Sequence, residues 1–235
     1  MEEKNLQEGE LYERRFGFKE KRANNLFMLL LVLILAAFAS FAVYFHANFS
    51  GVQVSGPSML RTLNSGEYLL MRKVGGGEGF TYGDIVVVSV GHYPEIQKEN
   101  EEAKKKNPKA QPTEFLIKRV VAMEGDKVKF ENGQMWLWKD YRNGGEYQPL
   151  EEDYAYYSAK SEYQCSEYTV GEGEVFFLGD NRNASLDSRY LDGKSHLSDL
   201  YKAEDICGVV PDWAVRYRGV LEWVFFARQN ITSNK

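Results

Sequence analysis

From Leu26 to Phe45 the chain carries no charge, and only Ser40 and Tyr44 interrupt its apolar side chains. At about 1.5 Å of rise per residue, a helix of this length spans a hydrocarbon core of about 30 Å. A core helix of a soluble protein would need a polar face, which this run lacks. A cleaved secretory signal has an apolar region of only about 7–15 residues. The run therefore predicts a retained membrane anchor over residues 25–46. Arg14, Arg15, Lys19, Lys21 and Arg22 flank it on the N-terminal side. The positive-inside rule then keeps residues 1–24 in the cytoplasm and sends residues 47–235 outside it.

Beyond His46 the period changes from helix to strand. Strands are predicted at Tyr68–Met71, Asp84–Val90, Phe115–Val121, Lys127–Phe130, Met135–Trp138 and Val175–Leu178. They are short, β-branched or aromatic, and bounded by turn signals. Lys127–Phe130, Asn132-Gly133 and Met135–Leu137 predict a hairpin. No long amphipathic helix follows the anchor, so the exported part reads as all-β. Two stretches break the rhythm. A charged insertion around 94–112 reads as a solvated excursion, partly helical or mobile. A second insertion, around 141–170, includes the acidic, tyrosine-rich run Glu151–Glu167. Near the C-terminus, Gly219–Ala227 is apolar but too short to span; it reads as a closing element on the core, with an interfacial role left open by its Trp and Phe.

Composition narrows the function. Tyr (15), Phe (14) and Gly (21) outnumber Pro (6), which supports strands with glycine turns. The formal net charge of −5 argues against nucleic acid as a partner. Cys165 and Cys207 match no zinc spacing; they are either a disulfide on an oxidising face or two thiols. His46, His92 and His196 stand in unrelated contexts, which argues against a histidine-based triad.

The candidate chemistry lies in three segments. Ser58 follows the constrained turn Gly56-Pro57 and precedes apolar Met59-Leu60. A hydroxyl nucleophile needs a base. Lys118 stands in a predicted strand, and alternation places it on one face with Leu116 and Val120. If that face is interior, burial lowers the lysine pKa into a useful range. On local sequence alone, an edge-strand lysine whose stem reaches water carries more weight. The third segment, Gly179–Arg189, packs Asn, Ser, Asp and Arg into a turn-rich loop after an apolar strand. An ordinary polar loop is the rival reading there, and its spacing does not fit an EF-hand.

Together these segments resemble the bacterial type I signal peptidases, membrane-bound Ser–Lys endopeptidases of the S26 family. The likeness runs through the anchor, Ser58-Met59, Gly66–Lys73, Tyr82–Val87, Ile117–Asp126 and Gly179–Arg189. It implies an exported domain of two antiparallel β sheets with a barrel-like body behind one transmembrane helix. It implies Ser58 as nucleophile, Lys118 as general base, and Ser185 as the hydroxyl that orients the amine. Asp180, Arg119, Asp187 and Arg189 would form the supporting polar network. It also implies signal peptides of exported preproteins as substrates, the lipid membrane as partner, and no metal or organic cofactor.

Two positions depart from the family pattern. Arg61 stands where proline is usual, three residues after the nucleophile. Its φ is expected to suit proline as well, so that Arg61→Pro is tolerated. Gly56 stands where some members place an oxyanion-donating hydroxyl, as in many Gram-positive members. The oxyanion hole then rests on backbone N–H groups, chiefly that of Ser58, beside Gly56 and Met59. A self-cleaving Ser–Lys repressor would carry a DNA-binding domain and no anchor. An endoplasmic-reticulum relative would have histidine for the lysine. An inactive anchored relative that binds export substrates or envelope partners would lack Ser58 or Lys118.

Overall fold

The computed structural model describes residues 2–131, 134–156, 167–191, 194–195 and 202–226. The chain divides into two units, Met1–Asn48 and Phe49–Lys235. The first is one helix, α1 (Glu2–Asn48). Its portion Asn24–Asn48 is long and apolar enough to cross a membrane, and none of its most apolar window is buried within the protein.

The second unit is mostly β. Its strands are β1 (Phe49–Gln53), β2 (Tyr68–Lys73), β3 (Ile85–Ser89), β4 (Phe115–Met123), β5 (Lys127–Glu131), β6 (Gln134–Trp138), β7 (Gln148–Pro149), β8 (Glu167–Thr169), β9 (Val175–Leu178), β10 (Tyr190–Leu191), β11 (Lys194–Ser195) and β12 (Ile206–Val210). Six form an antiparallel sheet in the order β1-β2-β12-β3-β4-β9, and four form a second in the order β7-β6-β5-β8. β10 and β11 make a separate ribbon. The expected hairpin is β5–β6, closing at the pair Glu131↔Gln134; its tip, Asn132-Gly133, lies outside the described residues.

The pleat decides where the site can form. On β4, Leu116 and Val120 face a core shared with Val86 and Val88 of β3, Phe177 of β9, and Ile206 and Val209 of β12. The opposite faces of β4 and β9 present Val121, Phe176 and Leu178 to a second core with Val128, Met135 and Leu137. β4 and β9 are therefore buried on both sides, and a side chain on either face loses its water.

The charged insertion carries α2 (Pro94–Lys106), with proline at its first turn and Ile96 buried in the first core. The segment read as a second insertion supplies β7 and β8 to the four-stranded sheet. β12 escapes prediction because Gly208 interrupts its β-branched run; a Cβ there would meet Met71 Sδ at 2.4 Å. The C-terminal stretch is a closing element only in part: it packs against β2 but leaves several apolar side chains outside. It forms α3 (Asp212–Arg216), α4 (Arg218–Leu221) and a π-helical turn at Glu222–Phe226, with Val220, Val224 and Trp223 exposed, the last by 76%. With so few residues it covers only one side, through Arg218 bonded to Glu67 at 3.1 Å and half-buried Leu221. Cys207 is a free thiol near Val87 O, and Cys165 lies outside the described residues.

Candidate active site

Lys118 is 2% exposed, on the Leu116/Val120 face of β4. The interior reading of that face is the correct one; the edge-strand alternative falls because β4 is flanked by β3 and β9. Its Nζ lies 3.0 Å from Ser58 Oγ and donates to Ile117 O at 2.9 Å. Burial pushes the amine down to about 8, and Arg189 adds to the fall, while the carboxylates of Asp187 and Asp180 resist it.

Ser58 is held from its backbone. Asn181 N–H donates to Ser58 O at 2.9 Å, and Asn181 Nδ2 donates to Pro57 O at 3.1 Å. Gly56 has φ +81, and its N–H is directed to Ser65 Oγ. Met59 is buried to 1% exposure and anchors the turn. Among the described residues, the N–H groups of Ser58 and Met59 reach no protein acceptor.

The supporting charges are paired and buried. Arg119 donates to both Asp180 oxygens, at 2.9 and 2.7 Å, and to Gly83 O at 2.7 Å. Thr62 Oγ1 also donates to Asp180. Arg189 forks onto Asp187 at 2.8 and 2.9 Å, and Gly179 N–H adds a third bond at 3.0 Å. Burial alone would raise the Asp187 carboxyl; the bonds and charge of Arg189, with the Gly179 amide, outweigh it and hold it below the usual range.

Ser185 is placed differently from expectation. Its Oγ is buried and makes no hydrogen bond of good geometry, with Lys118 or otherwise, though it stands near enough to Asp187 to help hold that carboxyl down. It lies against Gly179, where an added Cβ would sit 2.2 Å from Ser185 Oγ and 2.6 Å from Ser58 O. Glycine is required there by close approach.

A groove of about 690 Å³ opens at Ser58 and Lys118, between Gly51–Gly56 and Gln111–Ile117. A larger cavity, about 840 Å³, lies on the second sheet beside Trp138 and Pro149; none of the site residues lines it. Among the described residues, no cluster of His, Cys, Asp and Glu is placed to hold a metal ion.

The family model described as signal peptidase, peptidase S26, matches residues 25–215. The chain belongs to this signal peptidase family. A probable signal peptidase I-1 of Synechocystis sp. is 32% identical over 170 residues, covering 70% of this chain and 71% of the relative. Signal peptidase I U of Bacillus subtilis is 26% identical over 192 residues, covering 80% and 89%. Among solved structures, a signal peptidase I of Enterococcus faecalis aligns at 21% identity with a TM-score of 0.37, covering 57% of this chain and 98% of that one.

Within this signal peptidase the sequence reading missed Asn181, Thr62 and Glu152. Asn181 lies inside Gly179–Arg189, already singled out, and Thr62 directly follows Arg61, so their polar side chains were the available signal. Glu152 gave none, because it lies in a run read as an insertion. The expectation for Arg61 is corrected. Thr62 N–H donates to Met59 O at 3.1 Å, and Arg61 has φ 83, as the third residue of a type II turn does. Proline cannot adopt that angle.

Two outcomes follow. Unfolded lysine holds its proton to 10.5, folded Lys118 only to about 8. Between those values the unfolded state binds more protons, so burying Lys118 lowers stability below pH 8, and the loss fades as pH rises. Lys118→Met is therefore expected to be more stable than the parent at pH 7, on the order of 1–3 kcal/mol, with the gap closing toward pH 10. Denaturant titration at both pH values measures it; equal stabilities at pH 7 would contradict the desolvated amine.

At Arg61, proline is expected to destabilise the fold by ~2–3 kcal/mol and to lower kcat/KM at least about tenfold. Arg61→Gly is expected to leave stability unchanged or raise it by up to ~1 kcal/mol. Thermal melts and peptide cleavage decide, and a fully active Arg61→Pro would refute the positive φ.

Proposed function

We propose that this chain is a membrane-anchored endopeptidase that removes signal peptides from exported preproteins, with Ser58 as nucleophile and Lys118 as general base. The observation that carries the reading is the 3.0 Å approach of a buried lysine amine to a serine hydroxyl. When neutral, the amine accepts the Ser58 proton as Oγ attacks the scissile carbonyl. The tetrahedral oxyanion meets the open N–H groups of Ser58 and Met59. Collapse expels the mature protein's amine, which takes the proton back from Lys118, and leaves an acyl-enzyme. Lys118 then deprotonates a water that attacks the ester, and the proton returns to Ser58 Oγ.

The substrate lies extended in the groove, pairing along the outer edge of β1, the first strand of its sheet, while Asp180, Arg119, Asp187 and Arg189 hold the frame. The span Asn24–Asn48 anchors the enzyme in the cytoplasmic membrane with its N-terminus inside. Sharing that plane with the preprotein raises their effective concentration. No observation favours the inactive, substrate-binding alternative.

Ser58→Ala, Lys118→Ala and Lys118→Arg are each expected to lower kcat/KM by at least about 10³, and the Ser58/Lys118 double variant to be little worse, because the pair acts as a unit. The parent rate is expected to rise from pH 6 and level off above about 8. The measurement is mass spectrometry of products from a preprotein and the detergent-solubilised enzyme. Near-normal cleavage by Lys118→Arg, or a rate that falls between pH 6 and 9, would remove lysine as the base.

For orientation, protease added to spheroplasts is expected to digest the domain after His46 and to spare the N-terminal tail. Protection of the large domain would invert the arrangement.

A further inference from the structure

The run Glu152–Tyr156 touches each of the three segments that meet at Ser58, and each time it does so through an arginine. Glu152 forms a buried ion pair with Arg182, one of its bonds at 2.8 Å, and Arg182 Nε donates to Gly179 O at 3.0 Å. The Tyr154 ring lies under the Arg119 guanidinium, 4.1 Å from its centroid. The Tyr156 ring lies under the Arg61 guanidinium at 4.5 Å. Arg182 belongs to the Gly179 loop, Arg119 adjoins Lys118, and Arg61 stands in the turn after Ser58.

The run is itself rigidly mounted. Ala155 N–H donates to Glu152 O at 3.0 Å and closes a turn. Tyr156 N–H donates to Asp180 O at 2.7 Å, and Arg182 N–H donates to Tyr156 O at 3.0 Å. Tyr154 Oη donates to Glu152 at 3.2 Å, and burial with the nearby Glu152 charge pushes that phenol up, so the ring stays neutral beneath Arg119.

We infer that Glu152, Tyr154 and Tyr156 are positioning residues: a three-point clasp that holds the Ser58 turn, the Lys118 strand and the Asp180 loop in register for catalysis. Arg61 then has a use that its backbone alone does not explain. A positive φ is strained in arginine, and the contact with Tyr156 holds the turn in that conformation. The pair stiffens a turn whose positive φ proline could not adopt. The inference rests on the Ser58–Lys118 reading above.

The test uses the full-length protein in detergent and one signal-peptide substrate. Tyr156→Leu and Arg61→Gly are surface changes that leave the fold intact. Each is expected to lower kcat about fivefold with KM within about twofold, and the double variant to be no worse than either single. Tyr154→Leu is expected to lower kcat at least about tenfold, and Tyr154→Phe, which keeps the ring, to stay within about threefold of the parent. A merely structural role would lower the melting temperature and leave kcat of the folded protein unchanged.

The clasp is overturned if Tyr156→Leu and Arg61→Gly keep kcat within about twofold, or if their losses multiply in the double variant. Ser58→Ala is run beside them. If it is inactive while the clasp variants match the parent, this inference alone fails; if it cleaves normally, the dyad reading fails and the clasp with it.

Discussion

Lys118 must lose its water before it can give up its proton at a useful pH. Desolvation is the largest influence on its amine, and it wins against two nearby carboxylates, Asp187 and Asp180. It wins because neither carboxylate acts alone. Arg119 takes both oxygens of Asp180, and Arg189 takes both of Asp187. Without those guanidinium forks, two anions in a low-dielectric interior would keep the lysine charged. The arginines therefore help set the charge of the Lys118 amine, although their contacts with it pass through the carboxylates.

That requirement shapes the sheets. A lysine on an ordinary antiparallel sheet can reach solvent from one face. β4 denies this by lying between β3 and β9, with Leu116 and Val120 beside the amine and Val121 on the other face. The same arrangement brings β9 alongside, so that the loop leaving Leu178 delivers Gly179, Asp180 and Asn181 to the Ser58 turn. Gly179 has no room for a side chain there. Close approach of three chain segments, more than any single bond, sets the geometry of the pair.

The apolar span and six of the strands are legible in the sequence because each carries a local signal, whereas Lys118 stands out only through the family resemblance, since its own strand reads more readily as an edge. An uncharged run and a period of two need no tertiary knowledge, but the burial of Lys118 does, because it depends on β3 and β9 flanking its strand. What stays hidden is what depends on partners distant in the chain. β12 hides behind Gly208, whose reason is Met71 on the neighbouring strand. Glu152 and Tyr154 look like members of an acidic, tyrosine-rich insertion until Arg182 and Arg119 are seen against them. The positive φ of Arg61 contradicts its residue type, and a reading from propensity assigns the opposite sign. Ser185 shows the converse: its place in the motif implies an amine contact, yet its oxygen is turned into the Gly179 contact.

Two departures from local preference meet at Ser58: Lys118 without water, 3.0 Å from its Oγ, and Arg61 at φ 83, three residues after it in the chain. Each works against folding on the order of 1–3 kcal/mol, a sizeable share of the ~5–15 kcal/mol by which a domain is stable. Their opposition is tolerable because β4 and β9 serve two cores at once. Phe177 packs into one and Phe176 and Leu178 into the other, all at 1% exposure or less. Burying one such side chain contributes about 1.5–3 kcal/mol. The strands next to the reactive pair are thus among the best packed in the domain, and a strained turn and an uncomfortable amine persist where their surroundings leave no other place to go.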